Sequence, residues 1–418
     1  MEIKFIDLFS GIGGFHKAAV RALNSDKNRA VCVLASEIDE KAKEVYQYNY
    51  SIASDKIKNI REIKSSEIPD HDFLFAGFPC QTFSNAGKRL GFLDEIRGTL
   101  FFEIARILKE KKPNFFILEN VKHLVNHNKG ETFSVILNTI KELGYVTTEK
   151  KLIISAEKVG VPQKRERVYI LGVRKELVDT KYLKNPELKN PNQKEMKILE
   201  NKYEERYILS DEKIIRAINA WGEFLKKIVK KENRTLPPIW FDEMTMPKEK
   251  RDEALIGIKD WRKKYLLDMW DIYDRNKDFI DKWSRIHQVD KFAKREKKFE
   301  WQAGIDNVNI EDSIIQLRQS GIRCKKTDSF QTLVAIVQVP LVFDKKCHQW
   351  RYLNTKEVGK LQSFYSDDDH KKFVDYASIK RDGTFRSDYI TYKQFGNSVN
   401  VEVVKQLIEH LWENYGKK

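Results

Sequence analysis

At 418 residues, 41% hydrophobic and 33% charged, the chain can bury a large core and divide into two domains. It holds no uninterrupted apolar stretch of the roughly 20 residues a bilayer span needs, and Met1-Glu2-Ile3-Lys4-Phe5-Ile6 runs into a strand pattern rather than a secretory leader. Four cysteines with no Cys-x-x-Cys pair argue against zinc ligation and fit a reducing cytoplasm; a net charge of +15 favours a polyanionic partner, against the plainer reading of a lysine-rich solvated surface.

In chain order, residues 3–9 read as a buried strand, followed by a turn and a helix to about residue 23. Residues 30–36 form the next strand and 40–48 have helical spacing. Residues 73–76, 115–118, 145–154 and 168–173 are further strand candidates. Strands alternating with helices predict an α/β, Rossmann-like sheet, mostly parallel, with helices on both faces. The composition shifts after about residue 175. Asn-Pro occurs twice, then Leu236-Pro237-Pro238, and all eight tryptophans lie beyond this point. The periodicity of the tryptophan-bearing helices predicts core rather than stacking platforms. The expected organisation is a catalytic and cofactor-binding domain over 1–178, a smaller, irregular recognition domain over 179–345, its remainder over 346–390, and a C-terminal segment over 391–418. The amphipathic spacing of residues 399–415 would return that last segment to the first domain.

The turn Phe9-Ser10-Gly11-Ile12-Gly13-Gly14 stands where a strand ends and a helix starts. Small residues let a ligand approach the backbone there, and helix N-terminal amides face it. Glu37 closes the next strand, where an acid accepts hydrogen bonds from ribose hydroxyls. Turns of this kind also serve packing alone, and the incomplete Gly-x-Gly-x-x-Gly pattern disfavours a dinucleotide. Cys80 follows a strand and the turn Gly77-Phe78-Pro79, where an open α/β sheet presents its reactive groups. A lone cysteine is more often small core, but Gln81-Thr82-Phe83-Ser84-Asn85-Ala86-Gly87-Lys88-Arg89 has the polar, basic composition of a loop that closes over phosphates. Glu119 ends the apolar run Phe115-Phe116-Ile117-Leu118, and a carboxyl at a buried strand tip is costly unless protonated or paired. Arg165 and Arg167 precede the next strand; an arginine fork binds a carbonyl oxygen or a phosphate, although singly each reads first as a solvated charge.

Together, Gly77-Phe78-Pro79-Cys80-Gln81, Glu119-Asn120-Val121, Gln163-Lys164-Arg165-Glu166-Arg167, Arg351-Tyr352-Leu353-Asn354 with Leu361-Gln362-Ser363-Phe364, and Gln394-Phe395-Gly396-Asn397-Ser398-Val399 closely resemble, in order, the motifs of bacterial restriction–modification DNA (cytosine-5) methyltransferases. The resemblance covers about half the chain. It implies S-adenosylmethionine held by Phe9, Gly11, Gly13, Gly14, Glu37, Ile38, Asn59, Ile60, Pro79, Asn397 and Ser398. Asn59 stands where many relatives have an aspartate beside the adenine amino group. It implies catalysis by Cys80 adding to cytosine C6, Glu119 at N3, Arg167 at O2 and Arg165 in support, on a cytosine flipped from the duplex, with no metal. DNA contacts are expected from Gln81, Ser84, Lys88, Arg89 and Arg97, and from Arg318, Gln319 and Arg323 in a basic segment suited to base edges.

Two other readings compete. A tRNA cytosine-5 methyltransferase shares this scaffold, but the long insertion over 180–345 favours duplex DNA. A catalytically silent DNA-binding relative would have a damaged nucleophile or acid motif. The expected setting is a cytoplasmic, nucleoid-associated monomer acting on double-stranded DNA, apart from any cognate restriction endonuclease and from membranes.

Overall fold

A computed structural model describes residues 1–79, 100–190, 197–200, 204–306, 308–333, 338–366, 372–379 and 386–416. The chain forms two compact units, Met1–Ile198 with Gln331–Val337 and Thr355–Lys418, and Leu199–Phe330 with Gln338–Asn354.

The first unit is built on β1 (Glu2–Leu8), α1 (Gly14–Leu23), β2 (Arg29–Ser36), α2 (Glu40–Tyr50), β3 (Ile57–Lys58), β4 (Phe73–Gly77), α3 (Leu100–Lys111), β5 (Phe115–Val121), α4 (Glu131–Glu142), β6 (Tyr145–Thr147), β7 (Leu152–Ser155), β8 (Gln163–Lys164) and β9 (Glu166–Arg174). The main sheet runs β3-β2-β1-β4-β5-β9-β6, with β7 also on β9. Strands β1 to β5 are parallel, whereas β6, β7 and β9 are joined by antiparallel pairings. The expected mostly parallel sheet therefore ends in an antiparallel margin, and the expected single strand over 145–154 is two strands. Strand order reverses between β1 and β4, the switch point outside whose carboxyl ends an open α/β sheet offers a crevice.

Alternation along the strands loads both faces. Ile6, Leu8, Leu74, Ala76, Phe116 and Leu118 join one core with Phe101 and Ile104 of α3 and Ile136 and Ile140 of α4. On the other face Phe5, Phe73, Phe75 and Phe115 form an aromatic row that Phe15 of α1 stacks against.

The second unit carries α5 (Glu212–Glu232), β10 (Ile239–Trp240), α6 (Phe241–Met244), α7 (Arg251–Ala254), α8 (Asp260–Arg275), α9 (Lys277–His287), β11 (Lys298–Gln302), β12 (Ser313–Arg318) and β13 (Gly321–Lys326). Beyond the short β14 (Phe330–Gln331) it adds β15 (Leu341–Asp344) and β16 (Gln349–Tyr352). Its sheet runs β10-β11-β13-β12-β15-β16. Five of its tryptophans, Trp221, Trp270, Trp283, Trp301 and Trp350, are buried. Trp221 lies flat on Phe299 at 4.8 Å and donates its indole N–H to the Glu296 carbonyl, and Trp283 donates to Ala220. Trp270 and Trp301 likewise donate to the Glu243 and Gly304 carbonyls, so these four rings are placed where their one polar atom has a partner. Trp240 is half-buried, and Trp261 is 56% exposed.

The chain then returns through α10 (Thr355–Leu361), α11 (Asp388–Asn397) and α12 (Val401–Tyr415), all grouped with the first unit. Helix α12 packs on α1, and Trp412 reaches Phe73 and Phe115. These units do not follow the boundaries expected at 178, 345 and 390. Residues 179–198 stay with the first unit because the Lys184 amide donates to the Tyr415 hydroxyl and Lys189 exchanges hydrogen bonds with Gln406, tethers from α12 that composition does not reveal. Among the described residues no helix is long and apolar enough to cross a membrane.

Candidate active site

A cleft of about 1080 Å³ opens at the carboxyl ends of β1, β2, β4 and β5. Its floor starts with the glycine turn. Phe9 takes φ 55°, a left-handed conformation rare for an aromatic residue, and Gly13 takes φ 86°. A Cβ on Gly13 would collide with the Tyr50 ring, whose hydroxyl donates to the Gly13 carbonyl at 2.8 Å. Glycine is required there by both conformation and space. On its far side the turn meets the last motif, where Ser398 and Val399 crowd the position that a Gly14 side chain would occupy.

Glu37, at the end of β2, locks the turn. One carboxylate oxygen accepts from the Gly11 amide at 2.8 Å and the other from the Ile38 and Asp39 amides at 2.7 and 2.9 Å. A carboxylate has about four lone-pair sites, so one remains for a ligand hydroxyl. The Ser10 hydroxyl, in the cleft wall, is buried without a partner among the described residues. Ile38, 71% exposed, and the buried Ile60 add an apolar lip. Asn59, in the cleft wall, caps the Arg61 amide with its side-chain oxygen and donates to Glu62, so that oxygen has a second lone pair unused by these bonds. Asn397 is exposed in the cleft wall. An orphaned hydroxyl, a partly filled carboxylate and an apolar lip fit a nucleoside carrying a polar tail.

Glu119 enters from the tip of β5, its side chain 11% exposed, with Arg167 Nε 3.1 Å from one oxygen. Burial pushes its pKa up, and the guanidiniums of Arg167 and Arg165 only partly oppose that. Arg167 reaches Glu119 because β9 is antiparallel: Arg167 pairs with Val121, so the start of β9 lies at the same sheet edge as the ends of β4 and β5. Asn120 donates to the Phe78 carbonyl at 2.8 Å, fastening the turn after β4 to the end of β5. Arg165 plays a different part. It is buried and donates to the carbonyls of Leu333, Gly396 and Ser398 at 2.7, 3.1 and 2.7 Å, and burial lowers its pKa to about 9. Its guanidinium is a clamp on the backbone of the last motif.

The cleft thus brings together Phe9, Gly11, Gly14, Glu37, Ile38, Asn59, Ile60, Pro79, Glu119, Arg165, Arg167, Asn397 and Ser398. Cys80, Gln81, Ser84, Lys88, Arg89 and Arg97 lie outside the described residues. Arg318, Gln319 and Arg323 are in the second unit, where Glu300 accepts from both arginines. Sequence reasoning missed Ser10, Tyr50 and a buried cluster below the turn. There the Tyr46 hydroxyl lies 2.8 Å from His16 Nδ1 and 3.3 Å from Asp7, and His16 stacks on Tyr50 at 3.9 Å. Burial holds the Asp7 carboxyl well above the usual carboxylate range and lowers His16 to about 3. The one available signal was Tyr46 and Tyr50 at i,i+4 on α2. Among the described residues no cluster of His, Cys, Asp and Glu could hold a metal ion.

A glycine turn after the first strand, an acid closing the second, and a last motif folding back beside them define a Rossmann-like methyltransferase. The model of the C-5 cytosine-specific DNA methylases matches residues 3–413, and the chain belongs to that family. It is 31% identical to the type II methyltransferase M.BanI of Aneurinibacillus aneurinilyticus, over 99% of this chain and 96% of the relative. It is 44% identical to M1.ScrFI of Lactococcus lactis subsp. cremoris over 50% of this chain and 52% of the relative, and 45% identical to M.HhaI of Haemophilus parahaemolyticus over 42% and 50%. The chain therefore spans about half the length of several curated relatives and nearly all of M.BanI. The fold is shared with the Entamoeba histolytica methyltransferase EhMeth (18% identity, TM-score 0.53, 99% of both chains) and S. pombe Dnmt2 (16%, 0.53, 98% of both). The protein is a DNA cytosine-5 methyltransferase of the restriction–modification type, and such enzymes use S-adenosylmethionine.

Proposed function

We propose that this cleft methylates cytosine C5 through a transient bond between Cys80 and C6 of a cytosine extruded from duplex DNA. The observation that carries the reading is Glu119: a buried carboxyl, raised in pKa, 3.1 Å from Arg167 in the cleft that also holds the glycine turn. C5 of cytosine is a poor nucleophile. Addition of the Cys80 thiolate to C6 makes an enamine whose electron density collects at C5. A free thiol has a pKa of about 8.5, so the site must favour the thiolate. Glu119, whose pKa burial raises, donates to N3 in its protonated form and withdraws charge from the ring. Arg167 spans Glu119 and the ring O2, and Arg165 positions the wall by holding the Gly396 and Ser398 carbonyls. S-adenosylmethionine supplies an electrophilic methyl group on its sulfonium. Once C5 has taken that methyl group, leaving the donor as S-adenosylhomocysteine, loss of the C5 proton to a base or water expels Cys80 and restores the aromatic ring. A stacked base cannot enter such a cleft, so the cytosine must flip.

For the donor, we assign Glu37 and the Ser10 hydroxyl to polar groups, Ile38 and Ile60 to the faces of the adenine ring, and Asn59 to its amino group. Phe9, Gly11, Gly13, Gly14, Pro79, Asn397 and Ser398 complete the pocket. Gln81, Ser84, Lys88, Arg89 and Arg97 would meet the DNA around the flipped base. The enzyme would act as a monomer, its product shielding a site from a separate cognate endonuclease.

A duplex carrying 5-fluorocytosine at the target position tests the chemistry. With S-adenosylmethionine present, the fluorine blocks elimination, and a covalent protein–DNA band is expected on a denaturing gel. Free DNA alone, under conditions where the ordinary duplex is methylated, would refute the Cys80 route.

A further inference from the structure

In the second unit, β11, β13 and β12 lie side by side, with Glu300 opposite Arg323 and Arg323 opposite Gln316. Phe299, Ile322, Cys324 and Ile315 alternate with these residues and are buried. Glu300, Arg323, Gln316 and Arg318 therefore share the other face. On that face one Glu300 oxygen accepts from Arg318 Nη2 at 2.6 Å and from Arg323 Nε at 2.8 Å, while the Gln302 amide donates to its other oxygen. Gly321, paired with Arg318 at the end of the hairpin, leaves so little room that an added Cβ would stand 2.7 Å from the Lys298 carbonyl oxygen. That close approach lays the hairpin end on β11 and sets Arg318 beside Glu300.

A pair serving only stability would balance its charge. Here two guanidiniums share one carboxylate, leaving a surplus positive charge on side chains 19% and 25% exposed. Such a charge is costly unless acceptors meet it. Arg323 is held through Nε, and its terminal Nη edge meets no acceptor among the described residues. Arg318 Nε and Gln316 Oε1 are buried without partners among them.

We propose that Arg323 and Arg318, buttressed by Glu300, form a guanine-reading fork, which makes a guanine other than the partner of the methylated cytosine part of the target site. This rests on the methyltransferase reading above. Guanine offers two acceptors, O6 and N7, on its major-groove edge, matched by a guanidinium edge; adenine replaces one with a donor. Glu300 fixes the arginine rotamers before DNA arrives, so less side-chain freedom is lost on binding. A phosphate would also satisfy the arginines but would carry no sequence dependence.

The test begins with bisulfite sequencing of DNA from cells expressing the full chain, which gives the methylated site. Purified protein is then assayed on that duplex and on duplexes with each position replaced in turn. Wild type should disfavour loss of one such guanine by on the order of 5- to 150-fold. Arg323→Ala and Arg323→Lys should lose that discrimination at that position alone, and Glu300→Gln should weaken it. Arg323→Lys keeps the charge and bulk, so it decides the matter if the alanine variant does not fold. Unchanged discrimination in the Arg323 variants, or a uniform rate loss on every duplex as a phosphate contact would give, overturns the fork. A methylating wild type with no such guanine requirement also overturns it, leaving the function standing. A wild type that methylates no DNA defeats the function, and the fork with it.

Discussion

The cleft of the first unit and the polar sheet face of the second both place arginine beside a glutamate, to opposite effect. In the cleft, Arg167 meets Glu119 one to one, and burial keeps the acid's pKa raised. On the sheet, Glu300 is shared by two arginines and the surplus is positive. The first arrangement suits moving a proton onto a ring; the second suits receiving acceptor atoms. The difference lies in stoichiometry and burial, not in residue type.

Substitutions can break or sharpen this contrast. The largest effect is expected from Cys80→Ser, which should lower methyl transfer by on the order of 10⁴-fold or more while duplex binding, measured by fluorescence anisotropy, stays near wild type. Glu119→Gln should slow single-turnover methylation by about 10² to 10⁴-fold; wild-type rates would make Glu119 a scaffold residue. Arg165→Met should cost about 3 kcal/mol in urea unfolding, because three backbone carbonyls lose a charged donor together. Unaltered stability would contradict the clamp. A change of similar size concerns acid. His16 has its pKa lowered to about 3, against 6.5 when unfolded. Between those values an unfolded His16 binds the proton that the folded one refuses, so its own contribution destabilises the fold as pH drops, by about 3 kcal/mol between pH 7 and pH 4, while Asp7, raised in pKa by burial, contributes with the opposite sign. His16→Gln should flatten that dependence, read from unfolding midpoints at the two pH values.

The cleft was legible in the sequence to the extent that its chemistry is tied to strand ends. Glu37, Glu119 and the glycine turn must close particular strands of a Rossmann-like sheet, so local pattern placed them. Strand direction was not legible: periodicity is blind to it, and only the β5–β9 register explains how Arg167 reaches Glu119. Arg165 read as a solvated charge because the carbonyls that bury it come from residues 333, 396 and 398, far along the chain. For the same reason Arg318 and Arg323 appeared as a basic segment while Glu300 went unnoticed. Its link to them is made across strands, which no spacing rule reports.

The Arg165 clamp has a consequence for biosynthesis. Two of the carbonyls it holds belong to Gly396 and Ser398, 231 and 233 residues further along the chain. Until they emerge from the ribosome, the guanidinium lacks two of its three acceptors and the cleft lacks part of its wall. A chain translated only through its second unit therefore holds a buried cation still waiting for those acceptors.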